Sequence, residues 1–163
     1  MELDKEKLKN FDKLPPDVRR QFSLLMNRYA EKKKQSKIKK DFMAFVKHVW
    51  PDFIEGKHHK EVAQKFNEIA DGKIKRVIIN MAPRHTKSEF ASYLLPAWMV
   101  GRNPKLKIIQ STNTTELSVR FGRKAKALMD SAEYKEVFQT RLKEDSQAAG
   151  KWETQQGGEY YAA

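Results

Sequence analysis

The sequence contains no cysteine, which excludes disulfide bonds and thiolate metal sites within its 163 residues. Long hydrophobic runs are also missing, since no stretch approaches the roughly 18 apolar residues that a membrane-spanning helix needs. The N-terminal residues MELDKEKLKN lack the apolar core of a signal peptide. An apolar fraction of 39% is nevertheless enough for one domain with its own hydrophobic core.

Acidic residues are few relative to basic ones, 21 against 33, so the formal net charge is +12. A charge of this size says little about fold and much about partners. It predicts binding to a polyanion, above all nucleic acid, with an affinity that falls steeply as salt rises. The alternative is a generally basic surface without a dedicated site.

One stretch of the chain carries a recognisable chemical motif. The β-branched run Arg76–Asn80 predicts a buried strand, and a helical pattern begins at Ser88. The turn between them carries a proline and three basic groups: Pro83, Arg84, His85 and Lys87. A strand, a turn and a Lys-Ser pair at a helix start are typical of a nucleotide-binding P-loop. In such a loop, backbone N–H groups and the helix N-terminus face phosphate oxygens. Lys87 would reach the β- and γ-phosphates, and the Ser88 hydroxyl would ligate Mg²⁺.

The motif departs from its usual form at two positions. Met81 and Thr86 occupy the places of the glycines in G-x-x-x-x-G-K-[ST]. Glycine normally serves there because it adopts positive φ and lets a ligand approach the backbone. A β-branched Thr86 in the left-handed region would cost about 1–2 kcal/mol. From these residues alone, a surface turn with a basic helix start is the alternative interpretation.

Several spaced segments together resemble one family. The loop matches the pattern M-P-P-R-H-G-K-S at six positions, Met81, Pro83, Arg84, His85, Lys87 and Ser88, and departs from it at Ala82 and Thr86. L-x-x-x-F-x-R begins at Leu117, and W-x-T-x-x-G-G begins at Trp152. From about Asp41 onward, this chain resembles the N-terminal ATPase domain of the large terminase subunits of tailed bacteriophages. Those proteins are motors that package viral DNA and cut it.

The resemblance implies a site, cofactors and partners. It implies ATP and Mg²⁺ as cofactors and a nucleotide-binding loop made of Met81, Ala82, Pro83, Arg84, His85, Thr86, Lys87 and Ser88. Lys87 and Arg84 would act on the phosphates, and Ser88 would place the metal. His58 or His59 would lie on the adenine side, although a helix-capping or packing role is an equal alternative. Implied partners are double-stranded DNA, a portal protein, a small terminase subunit and further copies in a homo-oligomeric ring, in the host cell cytoplasm.

An ATPase also needs an acidic strand end that holds Mg²⁺. After residue 88 no apolar strand ends in two acidic residues. In the resembled family that strand follows the W-x-T-x-x-G-G segment, so the resemblance implies a piece truncated before it, with little hydrolysis and no DNA cleavage. Two other functions remain open: another helicase-like ATPase, and a non-enzymatic basic DNA-binding module with a decayed P-loop.

The predicted fold is α/β, an incomplete P-loop NTPase-like parallel sheet flanked by helices. A basic helical extension is predicted over 1–40, with an apolar stripe at Val18, Phe22, Leu25 and Tyr29, and the ATPase portion over 41–163. Helices are predicted over 41–50, 61–70, from 88 to the proline at 96, and over 115–130. A second strand is predicted over 106–109, a helix and then a loop over 131–147, and a C-terminal β-hairpin over 151–161.

Overall fold

The computed structural model describes residues 15–163, apart from the side chain of Gln147, and the chain divides into two compact units, Met1–Ser36 and Lys37–Ala163. Helix α1 spans Pro16–Lys40, with Pro16 in its first turn as predicted. Its apolar stripe faces solvent, since Val18, Leu25 and Tyr29 are 40–64% exposed. The part of the helical prediction that covers 1–14 lies outside the described residues.

The second unit packs short helices around an aromatic core. Helix α2 spans Phe42–Val49 and begins where the Asp41 carboxylate accepts the Ala44 N–H at 2.7 Å. Helix α3 spans Lys57–Ala70. The fully buried ring of Phe42 lies edge-on to Phe66, Phe90 and Trp98, with centroids 5.1–5.4 Å apart. These contacts join helices that are far apart in sequence, and they position the start of the next helix.

That next helix begins at Lys87 and contains a π-helical stretch, Glu89–Leu94, followed by α4, Leu95–Arg102. The helix was expected to end before Pro96, yet it continues for six residues past that proline. The Leu95 N–H bonds to the Phe90 carbonyl, five residues back. This wider turn lies directly before Pro96, which has no N–H to donate, and relieves the usual clash of proline with the preceding turn.

The sheet has four strands in the order β1-β4-β3-β2, with β1 at Lys107–Gln110, β2 at Leu142–Ala148, β3 at Lys151–Thr154 and β4 at Glu159–Ala162. The predicted hairpin over 151–161 is confirmed as the antiparallel pair β3–β4. Helices α5, Thr115–Asp130, and α6, Ala132–Val137, cover 115–137. The loop expected after α6 is wrong in part, because β2 pairs there with β3 across a register shift.

Two predictions about the sheet need correction. The α/β class is confirmed, but the sheet is mixed: only β1 and β4 run parallel, with Ile108 opposite Tyr160. The predicted buried strand at 76–80 is wrong, because this segment pairs with no strand in the described part of the chain. Val77 is 38% exposed and Ile78 is 88% exposed. An apolar β-branched run becomes a strand only when a neighbouring strand takes up its backbone hydrogen bonds.

Among residues 15–163, no helix has the length and apolar character to cross a bilayer.

Candidate functional site

The loop of residues 81–88 ends at a helix N-terminus. The Thr86 carbonyl accepts the Phe90 N–H at 2.9 Å, so the helix begins directly after Thr86. The first N–H groups of a helix have no partner within it, and they lie at the positive end of the helix dipole. Lys87 and Ser88 therefore occupy the first turn, where an anion is stabilised. The helix start places these two residues, and the strand that was expected to precede the loop is not formed.

Two loop residues adopt positive φ, Arg84 at 65° and Thr86 at 61°. In the part of the chain that the structure describes, they are the two non-glycine residues with this conformation. The left-handed conformation considered for Thr86 from the sequence is therefore present, and that of Arg84 adds a second. Each costs a free energy of order 1–3 kcal/mol, which surrounding contacts must offset. Such residues cluster at functional sites, so the backbone conformation, as well as the side chains, makes this loop a candidate functional site.

The loop encloses one side of a cavity of about 520 Å³, which falls within the usual size range of small-molecule sites. Its lining contains the predicted loop residues and one acid: Ala82, Pro83, Arg84, Thr86, Lys87, Ser88 and Glu89. Met81 and His85 do not line it. Arg84, Lys87 and Ser88 are exposed, and within residues 15–163 neither cation forms an ion pair. Two uncompensated cations and a helix N-terminus thus meet at one concave surface.

Glu89 is the acidic residue of this cavity, and it is already paired. Its Oε1 accepts a hydrogen bond from Lys124 Nζ of α5 at 2.7 Å. The same ammonium lies 5.4 Å from the ring centroid of Tyr93. Burial, reinforced by the negative charge of Glu89, raises the pKa of Tyr93. The pairing reduces the repulsion that a free carboxylate would exert on an anion in the cavity.

His59 supports the loop from behind. Its ring is 7% exposed, and its Nε2 lies 2.7 Å from Thr86 Oγ1. The Gly56 N–H donates to His59 Nδ1 at 2.9 Å, so the ring proton must be on Nε2. The Thr86 hydroxyl donates to the His85 carbonyl at 2.6 Å and therefore accepts from His59. Burial first, and then the neighbouring His58, lowers the pKa of His59 and so favours this neutral form.

The two histidines proposed for the adenine side occupy different places. His58 lines a second cavity of about 420 Å³, together with residues of α3 and the extended run Val77–Met81. His58 Nε2 is 2.9 Å from His59 Nε2, and the His58 ring is 5.6 Å from that of His85. His59 lines neither cavity and packs against Phe53 and Phe90. His58 can therefore contact a ligand in the second cavity, whereas His59 supports the loop through its contact with Thr86.

The described residues contain no group of three or more histidine, cysteine, aspartate or glutamate side chains that could hold a metal ion. Ser88 offers one hydroxyl, and the nearest carboxylate, Glu89, is occupied by Lys124. Strand β1 ends at Gln110, an amide where a Mg²⁺ site would need an acid. The donor set therefore fits the phosphates of a nucleotide, whereas for Mg²⁺ it supplies only the Ser88 hydroxyl.

Sequence reasoning missed the two contacts that hold the loop in place. Glu89 and Lys124 are 35 residues apart, and His59 and Thr86 are 27 apart. No short-range spacing rule connects positions so distant. The helix-capping or packing role that the sequence left open for the histidine pair is the one that His59 has, through its contacts with Gly56, Phe53 and Phe90. No family model, curated protein sequence or solved structure matches this chain significantly.

Proposed function

We propose that this chain is the nucleotide-binding part of a viral DNA-packaging motor, the large terminase subunit, which couples ATP hydrolysis to the movement of DNA into a procapsid. In this proposal, residues 41–163 form part of a P-loop NTPase-like fold. The observation that carries it is the loop: Thr86 at φ 61° lies directly before a helix start that bears Lys87 and Ser88. The conformation that glycine normally supplies in a P-loop is adopted here by threonine.

Each predicted residue has a role under this proposal. The N–H groups of the first helical turn and the Lys87 ammonium would contact the β- and γ-phosphates. Arg84, exposed on the same cavity, would add a second cation. Ser88 would give a hydroxyl ligand to Mg²⁺, which when bound neutralises phosphate charge. No described acid completes a metal site, so we assign nucleotide binding to these residues and no hydrolysis step. DNA, a portal protein, a small terminase subunit, a ring of copies and the host cytoplasm belong to the same proposal.

A second candidate, a basic DNA-binding module without nucleotide chemistry, is favoured by two observations. The net charge is +12, and both left-handed loop residues are non-glycine. A helicase-like ATPase shares the phosphate chemistry, but the Arg84-His85 pair in the loop favours the packaging motor.

Titration with a fluorescent ATP analogue separates these candidates. Lys87→Ala should weaken binding by about tenfold or more, because a charge-assisted contact to phosphate is worth about 1.5–3 kcal/mol. Lys105→Ala is the matched control, since it removes one exposed lysine from a turn outside the loop. Equal affinity for the analogue in wild type and Lys87→Ala, or no binding by either, would contradict the motor and leave the DNA-binding module.

A further inference from the structure

A second cationic cavity lies away from the loop, within the unit Lys37–Ala163. Its volume is about 390 Å³. It is formed by the last turn of α1, the last turn of α4, the segment after α6 and the β3–β4 turn. Three of its lining residues are cations, Lys39, Lys40 and Arg102, and none is acidic. Lys39 and Lys40 have no carboxylate partner among the described residues, Arg102 pairs with Asp71 outside the cavity, and the lining without an acid favours an anion.

The two lysines are uncompensated. Many lysines of this chain pair with a carboxylate, as Lys65 does with Glu68 at 2.8 Å and Lys143 with Glu153 at 2.6 Å. Lys39 and Lys40 are exposed, and neither forms an ion pair with any residue in the range 15–163. Both ammonium groups are therefore available to a partner from outside the chain.

Arg102 contributes a cation that is held in place. Its Nη2 donates to Asp71 Oδ1 at 2.9 Å, and its guanidinium lies 4.8 Å from the Trp98 ring centroid. These contacts hold the side chain at the cavity wall, where it is 23% exposed. Its Nη1 has no hydrogen-bond partner but is shielded from solvent, so an anion in the cavity would meet the exposed part of the guanidinium and not this N–H group.

The remaining lining residues favour phosphate over a carboxylate. Gln139, Thr140 and Gln156 bring neutral polar side chains to the same cavity. A phosphate diester has two charged oxygens and two ester oxygens that can accept hydrogen bonds from these side chains and the lysines, whereas a carboxylate has two oxygens in all. With the net charge of +12, a chain of phosphates is the anion that the whole surface attracts.

We propose that the cavity of Lys39, Lys40 and Arg102 binds a backbone phosphate of nucleic acid. Lys39 and Lys40 would provide most of the charge, and Arg102 would line the wall of the site. This contact shares a nucleic acid partner with the proposed function, but it involves no residue of the loop and needs no nucleotide. An experiment that refutes one of the two proposals therefore does not refute the other.

The test is fluorescence anisotropy of a labelled DNA duplex with the full 163-residue chain, without nucleotide, over a series of NaCl concentrations. Lys39→Gln/Lys40→Gln should weaken binding by about tenfold at low salt and reduce the slope of log K against log salt by about 1–2. The matched control is Lys107→Gln/Lys151→Gln, which removes two lysines that pair with Glu159 on the sheet. It should change affinity by less than about threefold.

Two results would overturn the proposal. One is an equal loss of DNA affinity and slope in both double variants, which would show that Lys39 and Lys40 act only through the overall positive charge of the chain and not as a site. The other is an equal loss of affinity for labelled poly-glutamate, which would show an unselective anion site. Both lysines are exposed, so thermal unfolding followed by circular dichroism should give the same Tm for the variant and the wild type.

Discussion

His59 Nε2 lies 2.7 Å from Thr86 Oγ1, so a buried ring on α3 contacts the residue that immediately precedes the helix start. The contact of this ring with Gly56 requires the neutral form, because His59 Nδ1 accepts the Gly56 N–H, and in that form Nε2 carries the proton that is donated to Thr86. The conformation of the loop is thus coupled to the protonation state of one side chain.

This coupling predicts a pH dependence of stability. The pKa of His59 is lowered in the folded chain from its ordinary value of 6.5, mainly by burial. Above pH 6.5 the stabilising contribution is complete. As pH falls below that value, the unfolded chain takes up the proton more readily, and stability is lost until the lowered folded pKa is passed. Urea unfolding at several pH values should show the free energy of unfolding falling over this window.

His59→Gln keeps a donor for Thr86 but does not titrate in this range, so its stability should fall less on acidification. His59→Phe removes the same titration and retains ring packing against Phe53 and Phe90. An unchanged pH slope in both variants would contradict the assignment to His59.

The left-handed conformation of Thr86 predicts an unusual order of stabilities. Thr86→Ala and Thr86→Gly both lose the hydroxyl that contacts His59 and the His85 carbonyl. Only glycine relieves the strain at φ 61°, so Thr86→Gly should be more stable than Thr86→Ala by about 1 kcal/mol. Urea unfolding measures the difference, and Arg84→Gly against Arg84→Ala, at φ 65°, gives an independent pair. Under the proposed function, Thr86→Gly should also bind ATP more tightly than wild type, since the strain no longer opposes the loop. Higher stability of either alanine variant than of its glycine counterpart would refute the strain argument.

The Glu89–Lys124 pair predicts opposite changes in affinity for a triphosphate. Glu89→Gln removes a negative charge from the cavity lining and should tighten ATP binding, by about two- to fivefold at low salt. Lys124→Gln leaves the Glu89 carboxylate unpaired beside the cavity and should weaken binding to a similar degree. Titration with the fluorescent ATP analogue at two salt concentrations checks both variants. A change of affinity in the same direction for both variants would show that the charges of this pair do not act on the bound nucleotide.

Two buried tyrosines give a matched test of the core. The Tyr160 hydroxyl is buried without a hydrogen-bond partner, whereas the Tyr134 hydroxyl donates to the Ala97 carbonyl at 2.9 Å. Tyr160→Phe should leave the free energy of unfolding unchanged or raise it by up to about 1 kcal/mol, because an unpaired polar atom is removed. Tyr134→Phe should lower it by about 1 kcal/mol, because it removes a buried hydrogen bond. Thermal and urea unfolding of both variants measure this contrast, which fails if Tyr160→Phe is the more damaging change.

Local signals in the sequence predicted most of the helices and the hairpin. Asp41 and Thr114 cap helices near the expected positions, and the glycines at 157 and 158 lie in the β3–β4 turn. Each of these depends on residues within a few positions of one another, which is the range over which caps and turns operate. The loop at 81–88 was found in the same way, from a short motif.

The failures concern partners distant in sequence. The run at 76–80 has the composition of a strand, but composition does not supply a neighbouring strand. β2 is the exception, because its partner β3 begins only three residues after β2 ends, and its charged residues, as in Lys143, Glu144 and Asp145, hid this local hairpin. The supports of the loop, His59 and Lys124, come from two different helices. Such contacts arise only when the chain has packed.

The π-helical stretch Glu89–Leu94 determines the direction in which the loop residues at the helix start point relative to the core residues of the same helix. One residue advances an α-helix by about 100°, and a π-turn holds one residue more than an α-turn. Lys87 and Ser88 are therefore rotated by roughly a quarter turn relative to Trp98, compared with an uninterrupted α-helix. Deleting one residue from this stretch would rotate the first helical turn, together with Phe90, relative to Trp98, and would set the direction of the loop against the packing of the aromatic cluster.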